Sequence, residues 1–207
     1  MSSAGMKAGD LFRADLARYY AQLPPGISRL RRLQLALRAE GVCAIGWYRF
    51  GQYLHNEASL PVRLLGELPY RIAEKWISYT AGIHLHPRTS IGPGFYIGHY
   101  GGIWISPLVR LGANCSVHQG VTIGVAGLRD PGRGGPQLGD RVWVGPNAVV
   151  TGQVRIGNGA VIGANSLVAS NIPENGVAVG VPARVIGCSG SASLIRLAGE
   201  QDPPAAD

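Results

Sequence analysis

From residue 83 onward the sequence repeats every six residues, with an aliphatic side chain commonly followed by glycine and then by small or polar residues. A period of six is incompatible with a helical face but typical of the short strands of a solenoid, whose aliphatic side chains point inward. Three hexads would close one triangular coil. The expected inward positions are Ile91, Ile97, Ile103, Leu111, Val117, Ile123, Leu138, Val144, Val150, Ile156, Ile162 and Val168.

Two interruptions break this period. Two extra residues stand between Ile103 and Leu111, and residues 125–136 form a longer excursion that is too rich in glycine and proline to stack as strand. We expect this excursion to protrude as a loop, which either carries binding residues or is a tolerated insertion. The predicted organisation is therefore a repeat domain over residues 83–187 with a protruding loop at 125–136, followed by a C-terminal tail over residues 188–207.

Residues 1–82 are predicted to form a small α-helical domain. Asp10 and Ser28 stand where helix N-caps are expected. Arginines alternate with leucines after Ser28, which favours a small bundle with solvated arginines and leaves contact with a membrane surface as an open alternative. Helix breaks are expected at residues 24–26, at Gly41, at residues 59–61 and at Pro69.

Composition and charge narrow the class of protein. The formal charge of +7 suits a polyanionic ligand or an anionic surface. The arginines are scattered and accompany no nucleic-acid-binding motif, so nucleic acid is not an expected partner. No apolar stretch reaches the roughly 20 residues that a membrane span needs. Three cysteines, an odd number without a signal peptide, favour reduced thiols and a cytoplasmic location.

Three motifs carry a family resemblance: Ile97-Gly98-His99-Tyr100-Gly101-Gly102, Gly120-Val121-Thr122-Ile123-Gly124 and Gly180-Val181-Pro182-Ala183-Arg184. With the helical region before them, they resemble the serine acetyltransferase family, which includes relatives that acetylate sugars in exopolysaccharide pathways, such as colanic acid acetyltransferases. The resemblance implies a mainly β fold, a left-handed parallel β-helix preceded by a small α-helical domain. It also implies acetyl-coenzyme A as donor and homotrimers, possibly paired into hexamers, with active sites between neighbouring subunits.

His99 matches the position of the family's catalytic histidine. An aliphatic hydroxyl loses its proton only at very high pH, so its attack on a thioester near neutrality needs a positioned base, and histidine suits that task. The alternative is a histidine that merely ends a solenoid turn. His118 falls one hexad position away from the family pattern and is given no catalytic role.

The acceptor site departs from the serine enzymes. His84 stands where the family places an aspartate that orients the catalytic histidine, and Gly134-Gly135 replaces an Arg-His pair that helps to hold serine. Because a zwitterion needs charged partners, these changes favour a sugar or glycan intermediate over L-serine, which stays the alternative acceptor. His84 and Arg133, or Arg129, are the candidate acceptor-binding residues. Since the last residue is Asp207 instead of the family's isoleucine, no cysteine synthase complex is expected.

For the donor, the resemblance points to the groove between coils near Gly145 and Ala164, with Arg184 suited to a coenzyme phosphate. Pro146 replaces a residue whose amide commonly contacts the coenzyme, and proline has no amide hydrogen.

Two rival functions remain: a zinc enzyme like the γ-type carbonic anhydrases, and an inactive scaffold. Three hexads per coil would place Val117 over Ile97, Gln119 over His99 and His118 over Gly98. This stacking makes no three-histidine cluster, so no metal is expected.

Overall fold

The computed structural model describes residues 5–24, 26–125 and 134–197, which form an N-terminal group of helices followed by a solenoid of short strands. The helices are α1 (Ala8–Ala21), α2 (Arg29–Arg38), α3 (Glu40–Asn56) and α4 (Leu60–Ala81). The strands are β1 (Ile83–Leu85), β2 (Ser90–Ile91), β3 (Tyr96–Ile97), β4 (Ile103–Ile105), β5 (Arg110–Leu111), β6 (Ser116–Val117), β7 (Thr122–Gly124), β8 (Gln137–Leu138), β9 (Trp143–Val144), β10 (Val149–Thr151), β11 (Arg155–Ile156), β12 (Val161–Ile162), β13 (Leu167–Val168), β14 (Val177–Gly180) and β15 (Ala183–Gly187).

Each coil contributes one strand to each of three sheets, so the strands of a sheet are parallel and come from successive coils. The described strands are ordered β1-β4-β7-β10-β13, β11-β8-β5-β2 and β15-β14-β12-β9-β6-β3. All twelve predicted inward positions are at most 4% exposed. The predicted solenoid with its helical N-terminal region is therefore confirmed, and its period reflects one inward side chain per strand.

The helix boundaries correct two expectations. Ser28 caps α2 as predicted, because its side chain accepts a hydrogen bond from the amide of Arg31. Asp10 instead lies in the first turn of α1, whose N-cap is Lys7. The break expected at Pro69 was also wrong, since α4 continues through that residue to a left-handed Gly82.

Helices α1 and α3 cover the open end of the first coil, where no earlier strand is available as a partner. The buried Arg49 side chain bonds to Asp15 at 2.8 Å and donates to the carbonyl oxygens of Ile91 and Gly92. Asp15 in turn accepts the amide of Phe95 at 2.8 Å. These side chains satisfy backbone groups at an edge that would otherwise be unpaired.

Tyr19 of α1 makes a second connection at the same end. Its hydroxyl donates to the carbonyl oxygen of Ile97 at 3.0 Å and accepts the amide hydrogen of Ile97 at 3.1 Å. Strand β3 is thus bound to α1 in the way that it would be bound to a preceding strand.

At the other end, β15 turns back and pairs antiparallel with β14. The chain then returns along the solenoid, where the Ser191 amide bonds to the Gly159 carbonyl and Ile195 is buried. None of the described helices is long and apolar enough to cross a membrane.

Candidate active site

One corner of the solenoid joins the sheet that contains β3 to the sheet that contains β4. Ile97, Val117, Val144 and Ile162 are register partners on successive coils, so the residues two positions later are stacked as well. We call this stack the His99 column: His99, Gln119, Pro146 and Ala164. Coils are spaced by about 4.8 Å, so about 14 Å of solenoid axis separates the two ends of the column.

The residues one position after the same strands form a parallel stack, the Gly98 column: Gly98, His118, Gly145 and Gly163. The predicted stacking of His118 over Gly98 and of Gln119 over His99 is confirmed. The candidate base and the candidate donor residues Gly145 and Ala164 therefore share one corner of the solenoid.

His99 is exposed and lies on the wall of a cavity of about 170 Å³ between the corner and helices α1 and α3. The same cavity is lined by Tyr19, Tyr96 and Tyr100 and by the carboxylate-bearing Glu40 at the start of α3. Within residues 5–24, 26–125 and 134–197, no acidic side chain forms an ion pair with His99. No sequence pattern marks Glu40 as a residue of this cavity, because the packing of the helices places it on the wall.

His118 is half-buried directly beside Gly98, where even a methyl group on Gly98 would collide with the imidazole ring. Its Nδ1 is 2.9 Å from the carbonyl oxygen of Val144, and its ring packs on Trp143. Burial lowers the pKa of His118, the hydrogen bond to Val144 raises it, and the charge of nearby His99 lowers it. His118 is therefore a neutral imidazole near neutral pH, with Nδ1–H donating and Nε2 free to accept.

Gln119 lies one coil above His99 in the column. Its Oε1 atom is buried and has no hydrogen-bond partner in the described part of the chain. A buried acceptor without a partner is costly, so this oxygen is suited to a donor group on a bound molecule. The sequence motif included neither Gln119 nor His118 as a functional residue, and only the coil register brings both beside His99.

Gly145 and Ala164, the candidate donor-binding residues, lie two and three coils from His99 along the corner. A Cβ atom on Gly145 would approach the amide nitrogen of Ala164 to 2.8 Å and the carbonyl oxygen of Ile162 to 2.9 Å. Pro146 accepts the amide hydrogen of Asn165 through its carbonyl oxygen. Exposed Arg184 is the register partner of Val179, which continues the Gly98 column one coil beyond Gly163.

We expect Gly145→Ala to lower the free energy of unfolding by about 1–3 kcal/mol, because its methyl group meets backbone atoms that cannot turn away. Thermal unfolding of the variant and the wild type measures this loss of stability. Gly124→Ala is the matched solenoid control, since its nearest contact would be an ordinary 3.8 Å from Ser106. An equal loss of stability in both variants would contradict the packing described for the corner.

The two predicted acceptor-binding residues have different outcomes. His84 is exposed on β1, and its ring lies 5.9 Å from that of the exposed Trp104, its register partner on β4. This ring pair lies on the sheet that directly follows the His99 corner. Arg133 and the alternative Arg129 lie outside the described residues, as does most of the excursion at 125–136.

Metal-ligating side chains do not cluster in the parts of the chain that the structure covers: no group of three His, Cys, Asp or Glu residues there is placed to hold an ion.

Comparison with known proteins agrees with this geometry. Residues 135–170 match the bacterial transferase hexapeptide (six repeats) family. The serine acetyltransferase of Helicobacter pylori strain J99 is 33% identical over 154 residues, which cover 74% of this chain and 85% of that protein. The chain belongs to the serine acetyltransferase family. Its fold accordingly matches the left-handed β-helix expected from the resemblance.

Solved structures of the serine acetyltransferase family superpose on most of the chain. The serine acetyltransferase of Brucella abortus in complex with coenzyme A has a TM-score of 0.73 at 26% identity, covering 88% of this chain and 68% of that one. The Neisseria gonorrhoeae enzyme in complex with serine has a TM-score of 0.72 at 29% identity, covering 87% and 69%.

The match covers less than two thirds of the length of other curated relatives. It spans 62% of the Mycobacterium tuberculosis serine acetyltransferase, with 35% identity over 149 residues that make up 72% of this chain.

Proposed function

We propose that this protein is an acetyltransferase that moves an acetyl group from acetyl-coenzyme A to a hydroxyl group, with His99 as the general base. The observation that carries the proposal is the placement of His99 on one corner with Gly145 and Ala164. A thioester lying along that corner would reach the imidazole. The coenzyme A held by the Brucella abortus relative supports this choice of donor.

In the proposed reaction, the His99 imidazole removes the hydroxyl proton while the oxygen attacks the thioester carbonyl carbon. The carbon–sulfur bond of the resulting tetrahedral species then breaks, and the proton passes to the departing coenzyme thiolate. Gln119 Oε1 is suited to accept a hydrogen bond from the acceptor, since it is buried, lies one coil from His99 and has no hydrogen-bond partner among the described residues. His118 beside them, whose pKa is lowered by burial, adds no positive charge to the corner near neutral pH.

L-Serine is the acceptor that the comparisons favour, and they favour it over the sugar acceptor expected from the sequence. The relatives are serine acetyltransferases, and the Neisseria gonorrhoeae structure holds serine. We therefore propose L-serine as the first acceptor to test.

A sugar hydroxyl is the second candidate, and the His84–Trp104 ring pair favours it. Both rings are exposed beside the corner, and the position where the serine enzymes have an aspartate carries an imidazole. Exposed aromatic rings stack on the apolar faces of uncharged ligands such as sugars. They offer no charged partner to the ammonium and carboxylate groups of serine.

The test is release of coenzyme A thiol from acetyl-coenzyme A with L-serine or with neutral sugars, followed by mass spectrometry of the acceptor. We expect a gain of one acetyl group on a hydroxyl. Trp104→Ala should raise KM severalfold for a sugar and leave KM for L-serine nearly unchanged. A zinc-dependent hydration of carbon dioxide, or no transfer to any hydroxyl, would contradict the proposed function.

Trimers, in which neighbouring copies complete the site, and pairs of trimers remain proposals that rest on family membership. Sedimentation of the purified protein measures both.

A further inference from the structure

The His118 side chain extends across the gap between two coils and reaches the backbone next to His99. His118 belongs to the coil above, and the strand register places it over Gly98. Its Nε2 atom lies 2.8 Å from the point that a Cβ atom on Gly98 would occupy. Glycine at position 98 leaves room for the ring, because a larger residue would overlap it. The Nε2 edge of the ring therefore lies against the residue that directly precedes the proposed base.

Two contacts fix the orientation of the His118 ring. Nδ1 lies 2.9 Å from the carbonyl oxygen of Val144, and the ring centroid lies 4.7 Å from that of Trp143. A carbonyl oxygen only accepts hydrogen bonds, so Nδ1 carries the proton and Nε2 carries a lone pair. No donor in the described part of the chain bonds to Nε2. His118 thus holds an acceptor atom at a fixed position for a donor on a bound molecule.

The Nε2 lone pair is kept at neutral pH. Burial lowers the pKa of His118, the hydrogen bond to Val144 raises it, and the charge of His99 lowers it. The effect of His99 on this pKa places the two imidazoles close enough for their charges to interact. His118 therefore stays an uncharged hydrogen-bond acceptor when His99 takes up a proton.

We propose that His118 binds the acceptor molecule, with Nε2 accepting a hydrogen bond from a group next to the hydroxyl that His99 activates. The inference rests on the proposed function and narrows its substrate class. The reacting hydroxyl donates to His99, so a donor on the adjacent carbon of the same molecule is the group that lies toward His118. The acceptor is therefore a vicinal amino alcohol or a vicinal diol, a condition that both L-serine and sugars meet.

A ring that only fills space beside Gly98 would act differently. Loss of packing changes transfer to every acceptor alike, because it disturbs the corner whatever molecule is bound there. Loss of a hydrogen bond changes transfer only to acceptors that carry the second donor. The two roles of His118 are thus separated by comparing acceptors with and without that donor.

The test measures kcat/KM for pairs of acceptors that differ only in the second donor. L-Serine is compared with β-hydroxypropanoate, and methyl glucoside with its monodeoxy analogues. We expect the wild type to prefer the acceptor that carries the donor. His118→Leu should reduce this preference by about three- to tenfold, the effect of one uncharged hydrogen bond. His118→Gln should restore part of it, because the amide oxygen can replace Nε2 as the acceptor atom.

His55→Leu is the matched control. His55 is also half-buried, and its Nδ1 also lies 2.9 Å from a backbone carbonyl oxygen, that of Gly51 on α3. It belongs to neither column of the corner, so its replacement should leave the preference unchanged.

The outcomes separate this inference from the proposed function. An unchanged preference in His118→Leu, or no preference in the wild type, would overturn the inference alone, whereas no transfer to any of these acceptors would overturn both. Nitrogen NMR of the wild type adds a measurement that needs neither activity nor a folded variant. It should show a proton on Nδ1 of His118, and a proton on Nε2 instead would also overturn the inference.

Discussion

Replacing His99 with alanine is expected to lower kcat for acetyl transfer by about 10²–10⁴-fold, the usual contribution of a positioned general base. The side chain is exposed on a cavity wall and makes no ion pair within the described segments, so its removal should leave the fold intact. Thiol release with the acceptor identified in the screen measures the loss, and calorimetry checks that coenzyme A binding persists.

His86→Ala is the matched control for this experiment. His86 is also an exposed solenoid histidine, but its Nδ1 accepts the Arg88 amide in a turn away from the corner. Its removal should leave kcat within about twofold, because it contacts neither the cavity nor the columns. If His99→Ala retains full activity, His99 is not the base, and the proposed mechanism fails.

Arg49→Met should lower the free energy of unfolding by about 3–5 kcal/mol, because it leaves the Asp15 carboxylate buried without its cation. For a chain of this size the midpoint of thermal unfolding should fall by roughly 10 °C. The substitution also removes the donors to Ile91 and Gly92 at the edge of the first coil. Adding Asp15→Leu should restore part of the loss, since the unpaired charge is then gone.

Arg13→Ala provides the comparison with a surface ion pair. Arg13 lies 3.2 Å from Asp10 in α1, and both side chains are mostly exposed. Its loss should change stability by less than about 1 kcal/mol. Equal effects of Arg13→Ala and Arg49→Met would mean that the cap on the first coil contributes nothing to stability.

The solenoid was predictable because its signal is local and repeated. Each hexad places one aliphatic residue inward, and a period sustained from Leu138 to Val168 fixes both the strands and their stacking. The register then followed by counting, which is why His118 and Gln119 were correctly placed over Gly98 and His99. Counting does not give the direction or burial of a side chain, so the half-buried position of the His118 ring against Gly98 has no signal in the sequence.

The errors in the helical region have long-range causes. Asp10 is not the cap of α1 because the helix begins earlier, where the Ala8 amide donates to Glu57 from 49 residues away. Pro69 does not end α4 because packing on α3 outweighs the lost backbone bond: Tyr70 is buried, and its carbonyl accepts the Trp47 indole hydrogen. Neither contact has a sequence signal within its own helix.

The two hydrogen bonds between Tyr19 and Ile97 have a further consequence. Ile97 stands two residues before His99, so the backbone that leads to His99 is held on one side by the next coil and on the other by α1. Each hexad must stack on the hexads of the neighbouring coils, which limits its sequence. Helix α1 lies outside the repeat, so its sequence is not limited in this way. A substitution in α1 can therefore shift the backbone that leads to His99, the base that we propose, while every turn of the solenoid stays the same.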